Sequence, residues 1–166
     1  GVFSHVSGSF TQNSISNIRE YNEKTGGWTS KPENINGNWN VFGMFGMNTA
    51  LKANPKFTFD TFTNLSYANN VGYLTMAGMK EAQKNTTTNL SLGERLGGRY
   101  RNDWLELGVN GSFNYTFEKD KLNPENNQEP YTFSYGGNLQ IYAPWGTTVS
   151  TNMTNQARRG YSDASM

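Results

Sequence analysis

Hydrophobic residues recur at every second position over long stretches of this chain, most clearly from Trp104 to Phe117. There Leu105, Leu107, Val109, Gly111, Phe113, Tyr115 and Phe117 share one parity, and Glu106, Gly108, Asn110, Ser112, Asn114 and Thr116 share the other. Side chains of a strand alternate between faces, so the stretch predicts a ribbon with one apolar and one polar side. Strands of soluble sandwiches usually run to about five or six residues. A tilted strand that crosses a membrane needs about nine to eleven. This alternation outlasts both.

The same period marks other segments. A weaker first strand is predicted over residues 2–12, extendable through Ile15 and Ile18 to Tyr21, with a turn at Glu23, Lys24, Thr25, Gly26 and Gly27. Residues 28–36 are polar and carry no clear signal. From Asn38 to Leu51, Trp39, Val41, Gly43, Phe45, Met47 and Leu51 share one side, while Phe42 and Met44 interrupt the polar side. Lys52-Ala53-Asn54-Pro55-Lys56 predicts a turn. Residues 57–68 predict a strand with Phe57, Phe59, Leu65 and Tyr67 on one face and Phe62 misplaced on the other. Residues 69–85 read as a long mixed loop, with helical turns possible over 76–84. Residues 86–100 predict a strand in which Glu94 falls on the apolar parity, an exception that a bulge near Gly93 would remove. Arg101-Asn102-Asp103 turns into the strand that begins at Trp104. A charged loop follows over 118–130, then strands over 131–143 and 147–157 about a Pro144-Trp145-Gly146 turn, then a polar tail.

Connections therefore alternate long and short, and an up-and-down chain collects all its short turns at one end. Outer-membrane barrels have that arrangement. Large aromatics also sit near both ends of the apolar faces: Phe57, Tyr100, Trp104 and Trp145 beside short turns, Trp39, Tyr67, Phe117 and Tyr131 near long loops. Aliphatic residues and glycine lie between, as between two aromatic girdles. The predicted fold is all-β: an antiparallel up-and-down meander of seven to eight long strands, residues 1–166 forming one segment of a transmembrane β-barrel. A soluble β-sheet carbohydrate-binding module is the alternative. It would use Trp28, Trp39 and Tyr131 as sugar platforms and bury the apolar face on a second sheet.

Composition narrows the classes. Of 166 residues 34% are hydrophobic but 14% are aromatic, which suits strands apolar on one side only. The net charge of +1 offers no electrostatic case for nucleic acid. Cysteine is absent, so disulfides and cysteine zinc sites are excluded. No apolar run is long enough for a transmembrane helix. The chain opens at Gly1 without a basic, apolar leader, as expected of a processed or excised piece.

Catalytic chemistry is sparse. His5 is the single histidine, without the clustered partners that a triad or metal site requires. Asp60, Glu94 and Glu106 lie on different strands, where a barrel wall carries charge by design. Arg95, Arg99, Arg101, Arg158 and Arg159 read as rim and interior charge. Asn64-Leu65-Ser66, Asn110-Gly111-Ser112 and Asn114-Tyr115-Thr116 match glycosylation acceptors, but polar alternation alone produces that spacing. No phosphate-cradling loop occurs. The expectation is a protein that is not an enzyme and has no cofactor, metal site or catalytic residues.

Four segments carry a family resemblance: NLSYANNVGY (residues 64–73), GGRYRNDWLELGVNGSFNY (97–115), YTFSYGGNLQIYAPWG (131–146) and ARRGYSDASM (157–166). They resemble the barrel region of Bacteroidetes outer-membrane proteins of the TonB-dependent receptor type. The resemblance implies an outer-membrane location, TonB-driven uptake of a bulky nutrient, and lipid and the TonB system as partners. The family's carboxypeptidase-like and plug domains and its terminal aromatic residue have no counterpart here. An internal barrel segment is therefore expected, its open edges pairing with the remaining wall or with another copy.

Overall fold

The long alternating segments pair with their neighbours in sequence, because each offers a full row of backbone donors and acceptors along its edge. The computed structural model describes residues 1–22, 24–51, 54–75 and 81–160, and only the backbone of residues 54 and 55. Seven strands form one antiparallel sheet in the order β1 (Val2–Thr11), β4 (Asn38–Leu51), β5 (Asn54–Leu74), β6 (Gln83–Arg101), β7 (Leu105–Asp120), β8 (Tyr131–Tyr142) and β9 (Thr148–Arg159). Between β1 and β4 the chain makes a separate two-stranded hairpin from β2 (Ser14–Asn22) and β3 (Gly27–Ile35). The all-β, up-and-down meander stands as expected. The sheet is open: β1 and β9 each have one neighbour.

The short connections after β4, β6 and β8 share one end, since every pairing is antiparallel. Asn102 builds the middle one. Its side-chain oxygen accepts the N–H groups of Trp104 (3.0 Å) and Leu105 (2.8 Å), the way asparagine replaces a backbone turn partner. Gly146 closes the last turn at φ 87°, a conformation that favours glycine.

Three expectations change. The first strand does not run on to Tyr21: it stops at Thr11, Asn13 takes φ 53°, and the Asn13 N–H donates to the Asn36 side chain at 2.6 Å. The polar stretch 28–36 is strand β3. It is held by pairing with β2 rather than by apolar alternation, with Tyr21 and Trp28 rings 5.3 Å apart and Glu20 and Lys31 3.5 Å apart. Residues 69–74 and 83–85 are not loop but ladder, paired from Asn69↔Thr88 to Leu74↔Gln83. Of the helical turns over 76–84, residues 76–80 lie outside the described residues, as do 52–53 of the first short turn and 161–166 of the tail.

Hydrophobic burial is concentrated where the hairpin meets the sheet. Among the described residues the buried hydrophobics are Ile18, Ile35 and Val71, where the hairpin folds against the end of β5. Side-chain amides fasten this junction: Asn38 donates to Ser14 Oγ (2.9 Å) and accepts the Val71 N–H (2.6 Å), while Asn69 donates to the Gly37 carbonyl (2.8 Å). Apart from this junction, both faces of the seven-stranded sheet are left uncovered by the described residues.

Candidate functional site: the two faces of the sheet

Residues opposite one another in an antiparallel ladder project to the same face, so the registers assign every side chain. On one face lie Trp39, Val41, Phe45 and Met47 of β4, Phe57, Phe59, Leu65 and Tyr67 of β5, and Leu90, Leu92, Leu96 and Tyr100 of β6. Leu107, Val109, Phe113 and Phe117 of β7 and Tyr131, Phe133, Leu139 and Ile141 of β8 continue it. Much of this face is exposed, Val109 at 56% and Met153 of β9 at 64%.

The upper aromatics do not follow one ladder row. Trp39 is opposite Asn69, and Tyr67, two residues nearer the short turns, stacks under it at 4.9 Å. Phe117 shares the row of Tyr67 through Leu90, and Tyr131 is opposite Tyr115, two residues lower again. The line thus falls by about one residue per strand. With about 3.3 Å per residue and 4.8 Å between strands, it is inclined to the ladder by ~35°. Of the lower aromatics, Phe57 and Tyr100 share a row with Leu107, and Trp104 precedes β7, three residues below Leu107 and on the parity of Glu106. On β5, Phe57 and Tyr67 are ten residues apart. Along strands inclined by that angle, the two levels stand ~27 Å apart.

One feature breaks the apolar band. No bulge occurs at Gly93: the register through β5, β6 and β7 is continuous, and Glu94 lies opposite Thr63 and Phe113 on the apolar side. Its carboxylate accepts hydrogen bonds from Thr61 Oγ1 at 2.6 Å and from Thr63 Oγ1. Asp60 and Glu106 are on the polar face, so Glu94 cannot face either of them across it.

The polar face carries Asn48, Thr58, Asp60, Asn64, Arg95, Arg99, Asn110, Ser112, Ser134 and Asn138. Glu106 gathers Arg99 (3.5 Å), Arg101 (3.8 Å) and the Tyr142 hydroxyl (3.4 Å). Beside it a groove of about 410 Å³ is lined by Lys56, Thr58, Arg99, Arg101, Asn102 and Asp103. Several polar side chains lie flat over glycines of the adjoining strand. A Cβ on Gly108 would stand 2.1 Å from Asn138 Oδ1, and one on Gly97 2.5 Å from Asp60 Oδ1. The sequence exceptions also resolve here: Phe3, Gly46 and Phe62 share one row, and the Phe3 ring crosses Gly46 to lie 6.2 Å from that of Phe62, with Phe42 and Met44 on the same face.

His5 sits on the polar face opposite Met44, and among the described residues no three His, Cys, Asp or Glu side chains are grouped to hold a metal. Arg158 is on the polar face and Arg159 at the end of the apolar face, opposite Tyr131. Asn64, Asn110 and Asn114 all belong to the polar face. Trp28, Trp39 and Tyr131 do not form one platform: Trp28 is on the hairpin, and Trp39 and Tyr131 are four strands apart on the apolar face.

At the long-loop end, Asp120 organises the β7–β8 connection. Its carboxylate accepts the N–H groups of Asn123 and Leu122 (both 2.9 Å) and the Asn85 side chain (3.0 Å). These bonds, the Asn123 N–H foremost, lower its pKa against a smaller opposing effect of burial. Thr61, Thr63 and Asn85 were not singled out by sequence. The parity of the two threonines was readable, but their convergence on Glu94 depends on which strands pair. Known protein families, curated proteins and solved structures yield no match to this chain.

Proposed function

We propose that the chain is a wall segment of an outer-membrane β-barrel transporter, its apolar face against lipid and its polar face against a hydrated interior. The observation that carries the reading is the upper line of aromatics, inclined by ~35°, with Phe57 and Tyr100 ~27 Å below it on the same apolar face. Transmembrane barrels tilt their strands by about 35–45° and expose an apolar band about 25 Å tall between aromatic girdles. The uncovered apolar face supports the same reading, because a soluble sandwich buries one face of each sheet. Inside a bilayer an unpaired strand edge is costly, so the outer edges of β1 and β9 require further wall. TonB-driven uptake of a bulky nutrient and a Bacteroidetes source rest on the resemblance of residues 64–73, 97–115, 131–146 and 157–166.

A nitroxide scan along β7 in reconstituted membranes tests the reading. Val109 and Phe113 should be more accessible to oxygen than to a polar relaxing reagent, and Asn110 and Ser112 the reverse. Exclusion of both reagents from Val109 would instead mean a packed soluble core and would support the carbohydrate-binding alternative.

A further inference from the structure

Glu94 is the only acidic or basic side chain between the two aromatic levels on the apolar face, among the described residues. On β6 it lies four residues from Leu90, in the row of Tyr67 and Phe117, and six from Tyr100. If the face meets lipid, as proposed above, Glu94 is near mid-depth, ~11 Å below the upper aromatic line at about 3.3 Å per residue and the strand tilt. A carboxyl group there is costly to leave without a partner, and ionisable groups at such depth mark functional contacts. Lipid headgroups lie beyond the aromatic levels and do not reach it. The group is also held in place: Thr61 and Thr63 each donate to one of its oxygens, from a single strand, which fixes the carboxylate at the surface with lone pairs still open outward. Around it stand the exposed apolar side chains Phe45, Leu65, Leu96 and Phe113.

We infer that the outer surface of β5 and β6 is a docking site for a second membrane-embedded polypeptide, which brings a lysine or arginine to Glu94 within the bilayer. Charge complementarity defines the partner. A second copy of this chain does not meet the need through the same face, whose described basic residues, Lys84, Lys119 and Arg159, lie at the long-loop end. Excluding water with an apolar surround strengthens a charged pair that is fully covered.

The test uses the full-length protein in its native outer membrane. A photoreactive residue replaces Leu96, beside Glu94, or Met153, three strands away on the same face. Met153 should give lipid adducts. Leu96 should give a discrete polypeptide adduct whose crosslinked peptide carries a lysine or arginine in an apolar or alternating membrane span. Glu94→Gln should lower that adduct about tenfold, the ratio expected for one lost charge-assisted hydrogen bond. Glu106→Gln, on the polar face, should leave it unchanged. Retained lipid adducts at Met153 show that each variant is still folded into the membrane. Lipid adducts alone at Leu96, an adduct to another copy of this chain, or an adduct indifferent to Glu94→Gln would each overturn the docking site and leave the membrane reading standing. Absence of lipid adducts at Met153 in the unsubstituted background would overturn the membrane reading and the docking site with it.

Discussion

At Gly136 the missing side chain sets how closely β8 and β9 approach. A Cβ would stand 2.5 Å from the Met153 carbonyl oxygen and 3.2 Å from Asn110 Oδ1. The first obstacle is backbone, which cannot rotate away. Gly136→Ala should therefore destabilise the folded protein by about 1–3 kcal/mol, as overpacking does, read as a lower midpoint in a urea titration of detergent-folded protein. Gly46→Ala should cost less, because its Cβ meets the ring of Phe3, an exposed side chain on an edge strand. Asp120 gives a prediction in pH. Its pKa is lowered in the folded state, so its contribution is present above the ordinary aspartate range and is lost as pH falls through the folded value. Protection of the Leu122 and Asn123 amides from hydrogen exchange, taken relative to the intrinsic rate at each pH, should fall on acidification below the ordinary aspartate range. Asp120→Asn should exchange faster at neutral pH and lose that acid dependence.

Two-faced strands are the unit on which the membrane reading stands. On β7, Val109 faces the apolar side, opposite Gly98 and Gly137, and Asn110 the polar side, opposite Gly97 and Gly136. In the intact membrane barrel Val109→Arg should cost about 2–4 kcal/mol, since the charge must reach an interface or draw water inward. Asn110→Arg should cost far less, because a hydrated interior already solvates charge. Equal costs would show that the strand is not two-faced, and a larger cost at Asn110 would show that it faces the other way. The hairpin of β2 and β3 obeys different physics. Its exposed Tyr21–Trp28 pair and its polar ladder give it little apolar alternation, and its position comes from three buried side chains, Ile18, Ile35 and Val71.

In the whole sheet, direction matters as much as strand number. Six successive antiparallel pairings separate β1 from β9, so these two edge strands run the same way. A second copy joined head to tail would meet its neighbour in parallel. A copy related by a two-fold axis across the sheet would put its long loops on the opposite side of the membrane. An all-antiparallel closed wall therefore needs an odd number of further strands between β9 and β1, which gives the even total of bacterial single-chain barrels. Residues 1–166 alone should form no closed monomeric pore. Discrete ion conductance from the monomer in planar bilayers would contradict this, and edge pairing into larger species is the expected behaviour.

Alternation is a local property, so the amino-acid sequence by itself determined that β4 to β9 are strands, which parity is apolar, and where Asn102 and Gly146 turn the chain. Each follows from side chains within a few residues and from the steric needs of a turn. The same information left residues 28–36 unassigned, ended β5 too early and began β6 too late. Those backbones are held by ladder partners on the neighbouring strand rather than by their own pattern. Glu94 divides the two kinds of knowledge. Its place on the apolar parity was legible, and a bulge was the local remedy. The tertiary structure keeps the register continuous and supplies Thr61 and Thr63 from the neighbouring strand instead. Only the pairing of strands decides which hydroxyls a carboxylate meets, and therefore whether a charge on an apolar face is displaced or held.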